Sequence, residues 1–290
     1  MATREHGKPI FIGGTGRSGT TLMQVILNTH KDVAAFGEVK VLMGGIINLQ
    51  NMFKQPAYKR HRLVIEYKKL WLTDYFRFYV PWDSKKNKDG LRGLTCWFSR
   101  KEVEQCITIL DRLRSAPDID TGYAVFGDFV CALFSIYAQK EGKKFWAEKT
   151  PPNAVFAPFL QKALPDMKLI NMVRDGRDVT CSVGKVGWAI EDPYKALDWW
   201  AKNLVSAVKV QKCLKAGTVI NVRYEDVIQK REPVLRRVTE FLGIEWDETV
   251  LKKELFSKSV YRYKKEMDPA VQKYAVEKYG DLLRMFNYET

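Results

Sequence analysis

The stretch IFIGGTGRSGTTLMQVIL, residues 10–27, constrains the chain more than any other. A short apolar run meets a loop of Gly, Ser and Thr, and a helical pattern of apolar residues follows. Such a junction leaves backbone N–H groups and a helix dipole open to an anion. It also demands a strand, a tight turn and a helix in immediate succession, which is how an α/β fold opens.

The later segments agree with that opening. KPIFIGG reads as a buried strand and TTLMQVILNTH as the helix after it. KKFWAE (143–148), KLINMVR (168–174) and TVINVR, ending at Arg223, read as further strands. PPNAVFAPFLQKAL, RDVTCSVGK with YKALDWWAKNLVSAVKVQK, and EPVLRRVTEFLG read as the helices between and after them. This alternation predicts a single α/β domain over residues 1–290, with a P-loop-like central parallel sheet of about four or five strands flanked by helices. Residues 39–140 read mostly helical and aromatic, a helical insertion with a capping box at Ser99–Glu102. KNKDGLRGL (86–94) is the most loop-like piece, and AVQKYAVEKYGDLLRMF reads as an amphipathic helix packed back on the domain.

The net charge of +14 points to an anionic ligand or acceptor, a polyanion or a membrane surface. Its basic residues are spread along the chain without a tail or run, so nucleic acid is not expected. The five cysteines are odd in number and form no CxxC pair, and the three histidines show no ligand spacing. That argues for a reduced compartment and against a metal site. The polar start MATREHGKP has no apolar core of a signal peptide, and no apolar run reaches membrane-spanning length. A cytoplasmic protein is expected, a trimmed anchor aside.

Three patterns compete for GGTGRSGTT. Gly14, Gly16 and Gly19 fit G-x-G-x-x-G, and Glu38 lies about 20 residues on, where a ribose-binding acid belongs in a dinucleotide fold. The next clear strand is distant, however, and that fold has no use for Arg17, Ser18, Thr20 and Thr21. Gly14, Gly19 and Thr21 also fit the spacing of a Walker A loop, but Thr20 stands where its lysine belongs, which argues against a triphosphate and its magnesium. In the third reading the same cradle takes a single phosphate carrying a transferable group. Hydroxyls come from Ser18, Thr20 and Thr21, and a cation from Arg17. A second anion site is offered by MVRDGRDVTCSV (172–183), where Arg174 ends a strand and Ser182 falls two helical turns later. Asp175, Arg177 and Asp178 there read as a cap and ion-pair network.

Together these motifs resemble the sulfotransferase family, whose donor is 3′-phosphoadenosine 5′-phosphosulfate. RSGTTLM followed by FGE is similar to the tyrosylprotein and carbohydrate branch, rather than the cytosolic small-molecule branch. WAEKTPPN (146–153) resembles the family's lysine-containing strand end and INVRYEDV (220–227) its tyrosine near the nucleotide. The likeness runs over residues 8–245, and SKSVYRYKK at the C-terminal side resembles a closing basic loop that would bring Lys264 and Lys265 over the donor. The resemblance implies that Gly16, Arg17, Ser18, Gly19, Thr20, Thr21, Arg174, Ser182 and Tyr224 hold the donor, with no metal required and adenosine 3′,5′-bisphosphate as product. It implies in-line sulfuryl transfer to an acceptor hydroxyl, with Glu38 as general base and Lys149 and Arg17 stabilising the transition state and leaving phosphate. His30, the rival base, reads better as a helix-end residue. Glu148 and Asn153 read as structural groups, and Trp188, Trp199 and Trp200 as core. Residues 45–140 are the expected acceptor-pocket segment. The acceptor stays open between an acidic peptide, a glycan and a lipid head group, and a homodimer is compatible with the reading. A P-loop-type kinase and a non-catalytic anion-binding protein are the competing functions.

Overall fold

The computed structural model of the protein describes residues 8–39, 41–72, 94–184, 190–254 and 259–290. Strands β1 (Ile10–Gly14), β2 (Val33–Gly37), β3 (Phe145–Lys149), β4 (Lys168–Val173) and β5 (Val219–Arg223) form one sheet in the order β2-β3-β1-β4-β5. β2 runs parallel to β3 with Gly37 opposite Lys149, and β4 parallel to β5 with Val173 opposite Arg223. The early helices are α1 (Thr20–Thr29), α2 (Val41–Phe53), α3 (Arg60–Leu72), α4 (Arg100–Ile107), α5 (Ile119–Lys140) and α6 (Asn153–Ala163). The later ones are α7 (Gly176–Val183), α8 (Pro193–Gln211), α9 (Tyr224–Gln229), α10 (Arg231–Leu242), α11 (Tyr263–Glu266) and α12 (Pro269–Met285). This is an α/β fold built on a parallel five-stranded sheet flanked by helices. Four of its strands are those read from the sequence. β2 was not expected; it follows α1 closely in sequence, but β3 lies between it and β1, so the two strands do not pair in a compact βαβ unit. The KNKDGLRGL loop up to residue 93, Trp188, and Ser257 and Lys258 lie outside the described residues.

The chain divides into two compact units, each discontinuous in sequence. The first takes the described residues of Met1–Ile10, Lys31–Thr150 and Phe159–Met167. Its core is aromatic: the Phe36 ring meets Trp97, Phe98, Phe134 and Tyr137 at centroid distances of 5.9, 5.8, 4.9 and 5.1 Å. α4 starts at the expected capping box, Ser99 and Glu102 each bonding the other's backbone N–H. α5 is the one helix among the described residues long and apolar enough to cross a membrane. Its Phe126, Phe129, Val130, Leu133 and Phe134 are buried in the unit, the pattern of a core helix.

The second unit takes Phe11–His30, Pro151–Pro158 and the described residues of Lys168–Thr290. α7 and α8 pack with the C-terminal stretch through Val179, Val183, Trp200, Leu204, Leu283 and Phe286. Trp200 is core, as its spacing suggested, and its Nε1 donates to the carbonyl of Arg174 at 3.2 Å. α12 closes this unit, bent at Tyr279.

Candidate active site

In the second unit the chain leaves β1 through a loop of positive φ values: 145° at Gly14, 68° at Arg17 and 87° at Gly19. A Cβ on Gly14 would stand 2.3 Å from the Met172 carbonyl oxygen, and one on Gly19 would stand 2.4 Å from Cδ2 of Tyr224. Only glycine permits such approaches. The Ser18 N–H donates to the carbonyl of Thr15 at 3.1 Å, closing a turn over Gly16 and Arg17. α1 begins at Thr20, buried, and Thr21, exposed, with no side-chain cap and no acidic residue in its first turn. Its leading N–H groups and dipole therefore remain available to an anion.

Arg174, at the end of β4, meets this loop. Its Nη1 donates to the Arg17 carbonyl at 3.0 Å, and its guanidinium lies 4.4 Å over the ring of Tyr224. Arg17 Nε in turn donates to Ser182 Oγ at 3.0 Å. The structure thus brings Gly16, Arg17, Ser18, Gly19, Thr20, Thr21, Arg174, Ser182 and Tyr224 to one place in one unit. It adds a residue the sequence did not single out. Ser259 accepts from Arg174 Nη2 through its carbonyl, and its hydroxyl is 2.7 Å from the Tyr224 hydroxyl. A backbone acceptor 85 residues away leaves no residue-type signal to read.

A buried network backs the arginine. Arg177 pairs with Asp175 at 2.7 Å and lies 4.0 Å over the Tyr263 ring. Burial works against its charge, but the bond and charge of Asp175 more than offset that, so its pKa sits above the ordinary value. Asp178 accepts the N–H groups of Tyr261 and Tyr263 at 2.8 and 3.0 Å. Burial still pushes its carboxyl above the usual range, against those bonds and the charge of Arg174. Lys264 pairs instead with Glu289 at 2.8 Å, and Lys265 is exposed. His30 is buried at the end of α1 with Nε2 at 2.9 Å from the Glu245 carbonyl. Asn153 donates to the Ile12 carbonyl at 3.2 Å.

In the first unit the ends of two paired strands hold the remaining candidates. Glu38 follows β2 with φ 40°, and its N–H donates to the Lys149 carbonyl at 2.6 Å. Lys149 ends β3, and its Nζ donates to Glu38 Oε1 at 2.9 Å, the two side chains only 5% and 12% exposed. Glu148, fully buried, braces both strand ends: its Oε1 accepts the Val39 N–H at 2.9 Å and the Thr150 hydroxyl at 2.6 Å. The Trp97 indole donates to the Gly37 carbonyl at 2.9 Å. Sequence reading did not single out Trp97.

The profile described as Sulfotransferase family matches residues 9–248. The chain belongs to the sulfotransferase family. "Protein-tyrosine sulfotransferase A" of Caenorhabditis elegans is 27% identical over 252 residues, covering 84% of this chain and 52% of its own length. "Protein-tyrosine sulfotransferase 2" of Gallus gallus is 25% identical over 252 residues, covering 84% of this chain and 53% of its own length. The chain thus spans about half the length of these curated relatives. Among solved structures, the sulfotransferase domain of the Synechococcus PCC 7002 olefin synthase has a TM-score of 0.57 at 17% identity, covering 99% of this chain and 97% of that one. The sulfotransferase domain of the curacin biosynthetic pathway has a TM-score of 0.54 at 17% identity, with 98% of each chain covered. These two likenesses show the fold.

The loop of this sulfotransferase-family chain offers its unpartnered donors to an anion. Ser18 Oγ and Arg174 Nε are buried and have no hydrogen-bond partner among the described residues. Orphaned donors beside a helix start, two guanidinium groups and several hydroxyls, with no carboxylate in the loop itself, make a site for an anion.

Proposed function

We propose that the chain transfers a sulfuryl group from 3′-phosphoadenosine 5′-phosphosulfate to a hydroxyl of a protein acceptor, a tyrosine side chain as the relatives' names suggest. The observation that carries this reading is the meeting of the glycine-rich loop with Arg174 and Ser182, through contacts of 3.0 Å at Arg17. Two phosphates of one nucleotide need two adjacent anion sites. When bound, the donor supplies an activated sulfuryl group on its 5′-phosphate. Gly16, Ser18, Gly19, Thr20 and Thr21 would hold that phosphate, and Arg174 with Ser182 the 3′-phosphate, while Tyr224 backs the nucleotide. The Glu38 carboxylate takes the proton from the acceptor hydroxyl. Lys149 and Arg17 offer fixed cations to the negative charge that develops as the leaving phosphate departs, so no metal is required of the mechanism. Removing one such donor costs about 10²–10³ in rate.

The test uses radiolabelled donor, a tyrosine-containing peptide acceptor and a chelator. Label should move to the peptide. Calorimetry with adenosine 3′,5′-bisphosphate should show Arg174→Ala binding about ten- to a hundred-fold more weakly, the loss of one charged hydrogen-bond set. Binding of magnesium ATP without binding of the sulfate donor would instead make the chain a kinase. Glu38→Gln should abolish most transfer and leave nucleotide affinity intact. An unchanged transfer rate would remove Glu38 from the mechanism.

A further inference from the structure

We infer that a cleft in the first unit binds an acidic peptide segment. This rests on the reading that the acceptor is a protein, and it gives that protein a second point of attachment. The cleft holds about 560 Å³, within the range of built ligand sites. Its floor is aromatic, from Phe53, Tyr123 and Phe159. The Tyr123 ring is fixed from two sides: Gln50 Nε2 donates to its hydroxyl at 2.7 Å, and Lys162 Nζ lies 5.4 Å over its face.

Three cations edge that floor, each from a different element: Lys54 just past α2, Arg60 at the start of α3 and Lys162 in α6. Among the described residues no carboxylate pairs with any of them. Lys54 reaches only the neutral amide of Asn51, at 3.4 Å. The Arg60 guanidinium stacks 4.5 Å over Phe53 and donates Nη1 to the Ala116 carbonyl, while its Nε is buried without a partner. The one acid lining the cleft, Asp118, is engaged as the cap of α5, accepting from the Thr121 N–H at 2.8 Å and hydroxyl at 2.7 Å.

The occupant follows from that arrangement. One small anion would neutralise one cation and leave the other two without a countercharge. Three cations on three elements call for several carboxylates spaced along a chain, and the aromatic floor calls for apolar side chains between them. Lys54, Lys162 and Pro117 are exposed, so the rim is open enough to admit a chain. The net charge of +14 favours the encounter.

The probe is a peptide of alternating Glu and Leu, which carries no hydroxyl to sulfate, against the same peptide with Gln for Glu. Calorimetry on the parent chain should show the Glu peptide binding at least about tenfold more tightly. Lys54→Glu with Lys162→Glu should weaken it by at least about tenfold, since two of the three cations lining the cleft are reversed. Adenosine 3′,5′-bisphosphate affinity should not change. As a control of equal charge, Lys202→Glu with Lys209→Glu, on exposed positions of α8, should leave peptide binding near the parent value. No binding of the Glu peptide, equal binding of both peptides, or equal weakening by the control pair would each overturn the inference. Should the cleft double variant also lose nucleotide affinity, Lys162→Met alone decides: it should weaken the Glu peptide at parental thermal stability, and parental affinity overturns the proposal. A chain that binds the peptide but moves no label keeps the cleft and loses the transfer reading. A chain that sulfates a tyrosine peptide but ignores the Glu peptide does the reverse.

Discussion

Arg17 and Glu38 are two of the four non-glycine residues with positive φ among the described residues. Such a conformation costs about 1–2 kcal/mol per residue and persists only where the surroundings enforce it. Here the enforcing contacts are visible: Arg17 lies between Ser182 and Arg174, and Glu38 is held by Lys149 and, one residue on, by Glu148. Backbone strain at Arg17 in one unit and at Glu38 in the other is held in each case by its own neighbours. Gly19 bears the same stress without a side chain. Gly19→Ala would set a Cβ 2.4 Å from Tyr224 at a φ of 87°. It should lower stability by ~1–3 kcal/mol and weaken adenosine 3′,5′-bisphosphate as Tyr224 is displaced, both readable from thermal unfolding and calorimetry on one variant. Glu148→Ala strips the acceptor from two donors at once, the Val39 N–H and the Thr150 hydroxyl. A loss of ~2–5 kcal/mol in urea unfolding is expected, and parental stability would show that Glu148 does not brace the strand ends.

At the level of elements, each candidate group stands at or just past the carboxyl end of its own strand: the loop after β1, Glu38 after β2, Lys149 ending β3, Arg174 after β4 and Tyr224 after β5. In the second unit the loop after β1, Arg174 and Tyr224 thus stand where open α/β sheets take ligands, and that explains why their motifs were legible. Glycines, a short hydroxyl run and a strand-terminal arginine are dictated by the turn and the anion, so they show in sequence. β2 was not legible for a related reason. VAAFG is five residues with two alanines, poor strand formers, and it is buried along its whole length, so no alternation marks it. Its strand state comes from β3 beside it and the aromatic cluster around Phe36. Trp97 and Ser259 act on backbone carbonyls or through them, which any residue type supplies. The helix contact at Gly127 has the same character: a Cβ there would stand 1.9 Å from the Ala163 carbonyl oxygen. Gly127→Ala should cost ~1–3 kcal/mol by overpacking, whereas Gly184→Ala, with its nearest neighbour 4.0 Å away, should stay within about 0.5 kcal/mol of the parent. Equal stabilities in guanidinium titrations would show that the backbone approach at Gly127 relaxes freely.

At the scale of the whole molecule, pH acts on stability in part through a buried acid. Glu225 is fully buried at the start of α9. Its carboxyl accepts from the Asp175 N–H at 3.1 Å and from the Tyr288 hydroxyl at 2.9 Å, and so ties the C-terminal tail to the residue after Arg174. Burial pushes its pKa above the ordinary value, and these bonds only partly oppose that. The sign follows from proton counting. Between the ordinary carboxylate value and the raised one, the folded chain keeps a proton that the unfolded chain releases. Stability from this group therefore falls as pH rises through that window, then levels off at a fixed deficit. Glu225→Gln removes the titration while its amide keeps an oxygen for Asp175 and turns an N–H toward Tyr288. The stability of the variant minus that of the parent should accordingly grow as pH rises through the window and become constant above it, by about 1.4 kcal/mol for each unit of upward displacement. Urea unfolding of both chains at a series of pH values measures it. A difference that is flat in pH would mean that Tyr288 and the Asp175 N–H compensate the buried charge fully, and a difference that shrinks as pH rises would mean that the folded chain stabilises the carboxylate.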